Sequence, residues 1–153
     1  MLTLDLIVDT EATGIPSEDQ FVQFGESALA AANHTDPADI CLSIIDSEQS
    51  RKLNHEYRSK DKPTNVLSFP ADLPESIDIP LLGDILICHS VMRQEAIDQD
   101  KSLIAHYAHL TIHGVLHLLG YDHMNDEEAT VMEALEIEAL NALGFTNPYS
   151  SDK

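Results

Sequence analysis

The stretch LIAHYAHLTIHGVLHLL, residues 103–119, constrains the fold of this chain more than any other. It contains no Asp, Glu, Lys or Arg. Leu103, Ile104, Leu110, Ile112, Val115, Leu116, Leu118 and Leu119 fall on every side of a helical wheel. A helix that is apolar all round is a buried one. This one is too short, and too often interrupted by His, to cross a bilayer. The remainder of the chain is therefore expected to wrap around it. His106, His109, His113 and His117 recur along it at steps of three and four, which places them on one stripe.

His113 and His117 are one turn apart, with Cβ atoms about 5–6 Å from each other, a spacing at which two imidazoles can grip one ion. Gly120 follows, at the position where a left-handed residue reverses the chain. Tyr121 and Asp122 carry the chain round, so that His123 can return as a third ligand. His-x3-His-x2-Gly-x2-His is the ligand frame of a metzincin zinc site without its Glu, whose place Gly114 takes. Three neutral nitrogens and one open position describe a catalytic metal site and not a closed structural one. Buried unpaired imidazoles are costly, and one cation satisfies three at once. His106 and His109 have no such third partner and are expected to be satisfied core histidines. His109 could also support a ligand from behind. Asp122 is expected to orient an imidazole.

The rest of the chain alternates strand and helix signals. Residues 2–8 put Leu2, Leu4 and Leu6 on one face at period two. Ser17 opens a helix running to about Ala32, with Glu18 and Asp19 at its positive end. Ile40–Asp46 reads as a second strand, followed by a helix over about Ser47–Tyr57 with Ser47 as its cap. RSKDKPTN, residues 58–65, is a basic loop, and Val66–Phe69 a short strand stopped by Pro70. Residues 71–82 carry two prolines and three acids and read as an extended surface excursion or flap. Gly83–His89 is the fourth strand, pairing with 66–69 as an edge hairpin, and Ser90 opens a helix to about Asp98. Asn125 caps the last helix, with Glu128 at the capping-box position. Met132, Leu135, Ala139 and Leu143 form its buried stripe, Glu133, Glu136 and Glu138 its wet face, and Gly144 its end. The tail from Tyr149 to Lys153 is expected to fray. With no repeat and no linker, residues 1–153 are expected to be a single domain of the α/β (α+β) class. Its small mixed sheet has about four strands, with helices packed around the central His-bearing helix.

The formal charge is −19, from 27 acidic and 8 basic residues, which argues against a broad basic face for nucleic acid. Five of the eight basic residues, Arg51, Lys52, Arg58, Lys60 and Lys62, nevertheless lie between positions 51 and 62. Any polyanion has to be met there, and Lys60 and Lys62 are the candidate substrate-binding residues. Arg58 has the fork that suits a phosphate, although by spacing alone it reads as an ordinary loop salt bridge. Cys41 and Cys88 lie in apolar runs and are expected to be buried free thiols. No signal peptide and no membrane span are read, so the cytoplasm is the expected compartment.

Three segments carry a resemblance. LNHEYRSKDKPTNVLSFP (53–70), LGDILIC (82–88) and AHLTIHGVLHLLGYDHMNDEEATVMEALE (108–136) resemble the YbeY family of bacterial rRNA maturation factors. The resemblance implies a single-strand-specific, metal-dependent endoribonuclease. It also implies action in 16S rRNA processing, including the 3′ end, and in late ribosome quality control. The partners implied are single-stranded RNA, the small ribosomal subunit and assembly proteins, with no membrane and no DNA. The family's metal ligands fall on His113, His117 and His123, and its catalytic arginine on Arg58. Zinc is the implied ion, although three imidazoles also suit nickel. Two alternatives stand beside this reading: a metal-dependent hydrolase of a peptide or small phosphoester, and a non-catalytic assembly factor whose metal only fixes the fold.

Overall fold

A computed structural model of the chain describes residues 2–71, 73 and 80–149. The elements run β1 (Leu2–Val8), α1 (Glu18–Ala31), β2 (Ala38–Ile45), α2 (Ser47–Arg58), β3 (Val66–Pro70), β4 (Leu81–Cys88), α3 (His89–Asp98), α4 (Leu103–Leu118) and α5 (Asp126–Ala142). The four strands form one mixed sheet in the order β1-β2-β4-β3. β1, β2 and β4 are parallel, and β3 pairs antiparallel with β4 at the edge. The α/β class and the edge hairpin are as the sequence predicts. Most of the acidic excursion predicted over 71–82 lies outside the described residues, while Leu81 and Leu82 already belong to β4.

Period-two alternation decides which side of the sheet is covered. Leu2, Leu4, Ile40, Leu42, Ile44, Ile85 and Ile87 are buried on one face, whereas Thr3, Asp5 and Asp84 of the other are exposed. α4 lies over the buried face, packed against α1, α5, α3, β3 and β4. Its Tyr107, Ile112 and Leu116 are fully buried. An uncharged helix at the centre of the molecule is what its composition predicts.

Several predicted boundaries move for local reasons. Asp46, not Ser47, caps α2, because its side chain accepts from the Gln49 amide while the Gln49 side chain accepts from the Asp46 amide. α2 also continues to Arg58 and ends on Ser59 in the left-handed conformation. β3 includes Pro70, which is tolerated because an edge strand leaves alternate N–H positions unpaired. α3 begins at His89 on an N-cap, Cys88, that offers no side-chain hydrogen bond. Asn125 does cap α5, but Glu128 reaches back to the Met124 amide instead of closing a capping box on Asn125. Both cysteines are free thiols, Cys88 buried as expected but Cys41 only partly buried, because it lies on the sheet face it shares with exposed Asp5 and Asp84.

Candidate metal centre

α4 ends as its sequence predicts, and that ending brings the third histidine round. Gly120 has φ 102°, its amide donates to the His117 carbonyl at 3.0 Å, and the Tyr121 amide donates to the Leu116 carbonyl at 3.0 Å. This pair of bonds is a Schellman turn, which satisfies the last carbonyls of the helix while reversing the chain. The reversal returns His123 to the pair on the final turn. Ring centroids are 4.5 Å apart for His113 and His117, 5.6 Å for His113 and His123, and 5.4 Å for His117 and His123. One nitrogen from each of the three lies within 4.8 Å of the others. An ion bound at about 2.0–2.1 Å from imidazole nitrogens fits among them with small ring movements.

The donor set is consistent with a cation in a second respect. The His113 and His117 Nε2 atoms face each other at 3.0 Å, while the His113 Nδ1 donates to Glu136 at 2.8 Å. A carboxylate accepts only, so it holds His113 in the tautomer whose Nε2 lone pair is bare. Burial, then the neighbouring His113, pushes the His117 imidazole below its usual range and keeps it neutral, as a ligand must be. His123 is the exposed member, with its amide donating to Asp122 at 2.7 Å and its Nδ1 3.7 Å from the same carboxylate oxygen. Asp122 therefore stands beside this ring, where orientation of an imidazole was expected.

The three imidazoles line an open cleft of about 630 Å³. Arg58 lines it too, at the last position of α2, with β3 forming a wall through Val66, Ser68 and Pro70. Among the described residues Arg58 makes no ion pair, so the loop salt bridge considered from spacing is not formed. Arg51 takes that role, with its guanidinium held by Glu48 at 2.6 Å and by Asp61. Lys60 and Lys62 are exposed on the loop after α2 and do not line the cleft. Two buried polar side chains tie that loop down. Ser50 donates to the Thr64 carbonyl and accepts from the Thr64 amide, both at 2.9 Å, and Asn54 donates to the Lys62 carbonyl at 2.8 Å.

The histidine stripe of α4 divides between two neighbouring helices. His106 is a core histidine as expected, its Nε2 2.8 Å from Glu95 of α3. His109 takes the supporting place behind the ligands, because its Nε2 donates to Glu136 at 2.8 Å, on the carboxylate that also holds His113. Glu136 corrects an expectation. It was placed on the wet face of α5, but it is 1% exposed and faces α4. It follows Met132 by four residues and precedes Ala139 by three, so the period of the buried stripe already included it, and only its charge argued otherwise. Burial by itself raises its carboxyl, but hydrogen bonds from His109, His113 and Tyr149 outweigh this and hold it at about 2. Tyr149, expected to fray, donates its hydroxyl to Glu136. Nothing in the local sequence marks that contact. Residues 150–153 of the expected tail lie outside the described residues.

Gly114 is buried between the two ligands of α4, and a Cβ there would meet Ile85 at 3.1 Å and the Ser68 hydroxyl at 3.3 Å. The helix thus approaches β3 and β4 at the position where a metzincin carries its Glu. No helix of the described residues is long and apolar enough to cross a membrane.

The family model described as Endoribonuclease YbeY matches residues 9–144. The solution structure of TM1509 from Thermotoga maritima superposes with a TM-score of 0.59 at 22% sequence identity, covering 98% of this chain and 97% of that one. That likeness shows a shared fold.

Proposed function

The chain belongs to the YbeY endoribonuclease family, and from that premise we propose that it cleaves single-stranded RNA, with a divalent ion held by His113, His117 and His123 and with Arg58 on the scissile phosphate. The observation that carries this reading is one cleft lined by three convergent imidazoles and a guanidinium. A divalent ion there supplies Lewis acidity toward a phosphoryl oxygen and acidifies water. Arg58 binds the phosphate oxygens through its fork and stabilises the negative charge that grows on them. Ser59, left-handed at φ 58°, ends α2 directly after Arg58, and the Ser50 and Asn54 clamps fix the loop that follows. Lys60 and Lys62, outside the cleft, meet phosphates of the RNA strand beyond the cleaved one.

Zinc is the proposed ion, with nickel as the alternative three imidazoles also accept. The proposed substrate is 16S rRNA near its 3′ end, during maturation and quality control of the small subunit in the cytoplasm, and residues 1–153 act as one domain. Electrostatics favour that setting. Affinity for RNA grows with the number of phosphates neutralised, and a chain of net charge −19 with one basic loop neutralises few. The ribosomal particle and its assembly proteins deliver the RNA that the free protein holds weakly. The open cleft favours catalysis over a metal that only fixes the fold.

His113→Ala and Arg58→Ala test the reading together. The first should remove ion and RNA cleavage together, and the second should remove cleavage while the ion stays, as read by elemental analysis beside cleavage of a single-stranded RNA. Full cleavage by metal-free His113→Ala protein would refute the proposal.

A further inference from the structure

Behind the three imidazoles lies a second polar layer that the proposed reaction does not itself require. Glu136 is 1% exposed, and each of its carboxylate oxygens is engaged. Oε1 accepts from His109 at 2.8 Å and from the Tyr149 hydroxyl, and Oε2 accepts from His113 at 2.8 Å. Tyr149 also lies 3.1 Å from the His109 Nε2. Three elements therefore meet on one side chain: α4 through two histidines, α5 through Glu136 itself, and the segment after α5 through Tyr149.

The chemistry of the acceptor makes this layer directional. An ionised carboxylate has no proton to give, so all three of its neighbours have to donate. His113 must then carry its proton on Nδ1, which leaves Nε2 bare and turned toward His117, 3.0 Å away. His109 must carry its proton on Nε2, which leaves a buried Nδ1 with no partner among the described residues. Charging His109 would bury an unpaired N–H, so it remains a neutral donor. A Gln at 136 keeps the shape but presents an acceptor on one side and a donor on the other. One of the two imidazoles then has to change tautomer or lose its bond.

We propose that Glu136, steadied by His109 and Tyr149, is a positioning residue that holds His113 with Nε2 turned toward the other two ligands, so that Tyr149, through Glu136, helps set how tightly the site grips its ion. This rests on the metal-site reading given under Proposed function. Groups that orient a metal-bound imidazole are typically worth about 10–100-fold in metal affinity, and that is the loss expected of Glu136→Gln.

The test uses the full chain in four forms: wild type, Glu136→Gln, Tyr149→Phe and the exposed control Glu138→Gln. Zinc affinity is read by competition with a chromophoric chelator, and the His113 tautomer by imidazole nitrogen shifts in the metal-free protein. Glu136→Gln should bind zinc at least roughly tenfold more weakly and lose the Nδ1-protonated bias. Tyr149→Phe should move both readouts the same way by less, and Glu138→Gln should move neither. Unchanged affinity and tautomer in Glu136→Gln and Tyr149→Phe, with zinc bound by the wild type, overturn the inference and leave the metal site standing. A wild type that binds no zinc or nickel overturns the metal site, whereas the tautomer readout still reports on Glu136.

Discussion

Replacing Gly83 with Ala tests how the cleft wall is held. Gly83 lies in β4 at φ 146°, where the register with β2 slips by one residue. A Cβ added there would lie 2.2 Å from the Phe69 carbonyl oxygen and 2.9 Å from both the Pro70 Cα and the Leu118 Cδ2. Carbon–oxygen contacts in sheets settle at about 3.3 Å or more, so β3 must retreat by about 1 Å. The neighbouring ladder bond from the Ala71 amide to the Leu82 carbonyl, now 2.9 Å, would then exceed hydrogen-bonding range. One or two lost ladder bonds at about 0.5–1.5 kcal/mol each, plus backbone strain of about 1–3 kcal/mol, amount to roughly 2–6 kcal/mol. Gly144→Ala is the matched control, because Gly144 has φ 89° but no atom within 4 Å of an added Cβ, so it incurs the strain without the clash. Urea unfolding of both variants should show Gly83→Ala the weaker by at least about 0.5 kcal/mol, the low end for one lost bond. RNA cleavage should fall as well, because Ser68 and Pro70 of the cleft wall move with β3. Equal stability of the two variants would refute the close approach of β3 to β4 at this point.

Three further outcomes follow from the site and the core. Divalent metal at about 100 times its Kd stabilises the folded chain by about 2.7 kcal/mol, about 5–11 °C in Tm for a chain of this size; scanning calorimetry should show that gain in the wild type and none in His117→Ala. Burial, with Arg93 adding to it, pushes the His89 imidazole below its usual range, so near pH 6.5 the unfolded chain binds a proton that the folded chain does not. Stability is then level above about pH 6.5 and falls as the pH drops toward the folded value, with His109 and His117 depressed by burial in the same direction; urea midpoints unchanged from pH 7.5 to 5.5 would contradict this. Tyr107→Phe removes the hydroxyl 2.6 Å from the buried His89 Nδ1, and an orphaned buried group costs about 1–3 kcal/mol, readable as the drop in unfolding free energy.

The parts of the site set by local sequence were legible, and those set by distant contacts were not. His113, His117 and Gly120 act within one helix and its final turn, so spacing alone predicted their convergence with His123. Glu136 and Tyr149 reach the site from 23 residues or more along the chain, and binary patterning assigned an acidic side chain to water because it cannot see the donors that compensate it. Arg58 shows the same limit in reverse. Its sequence neighbours Glu56 and Asp61 make a salt bridge the obvious expectation, yet Asp61 is taken by Arg51, and the guanidinium is left at the cleft. The Lys60 and Lys62 assignments rested on charge density, which locates a region but does not say which side chains turn inward.

Gly114 links the packing of the fold to the chemistry of the site. α4 comes so close to the sheet that a Cβ at this position already meets Ile85 at 3.1 and 3.2 Å and Ser68 at 3.3 Å. A longer acidic side chain would have to displace the side chains of Ile85 and Ser68, and Ser68 lines the same cleft as Arg58. The acid that serves a peptide-cleaving zinc site as general base would therefore disturb the packing that builds this cleft. Its exclusion also suits the proposed substrate. A carboxylate beside the ion would repel a phosphodiester, whose charge in the transition state is spread over oxygens that need cations around them. Close packing of α4 on β3 and β4 at Gly114 thus goes with a site that lacks this negative group, which accords with the proposed phosphodiester substrate.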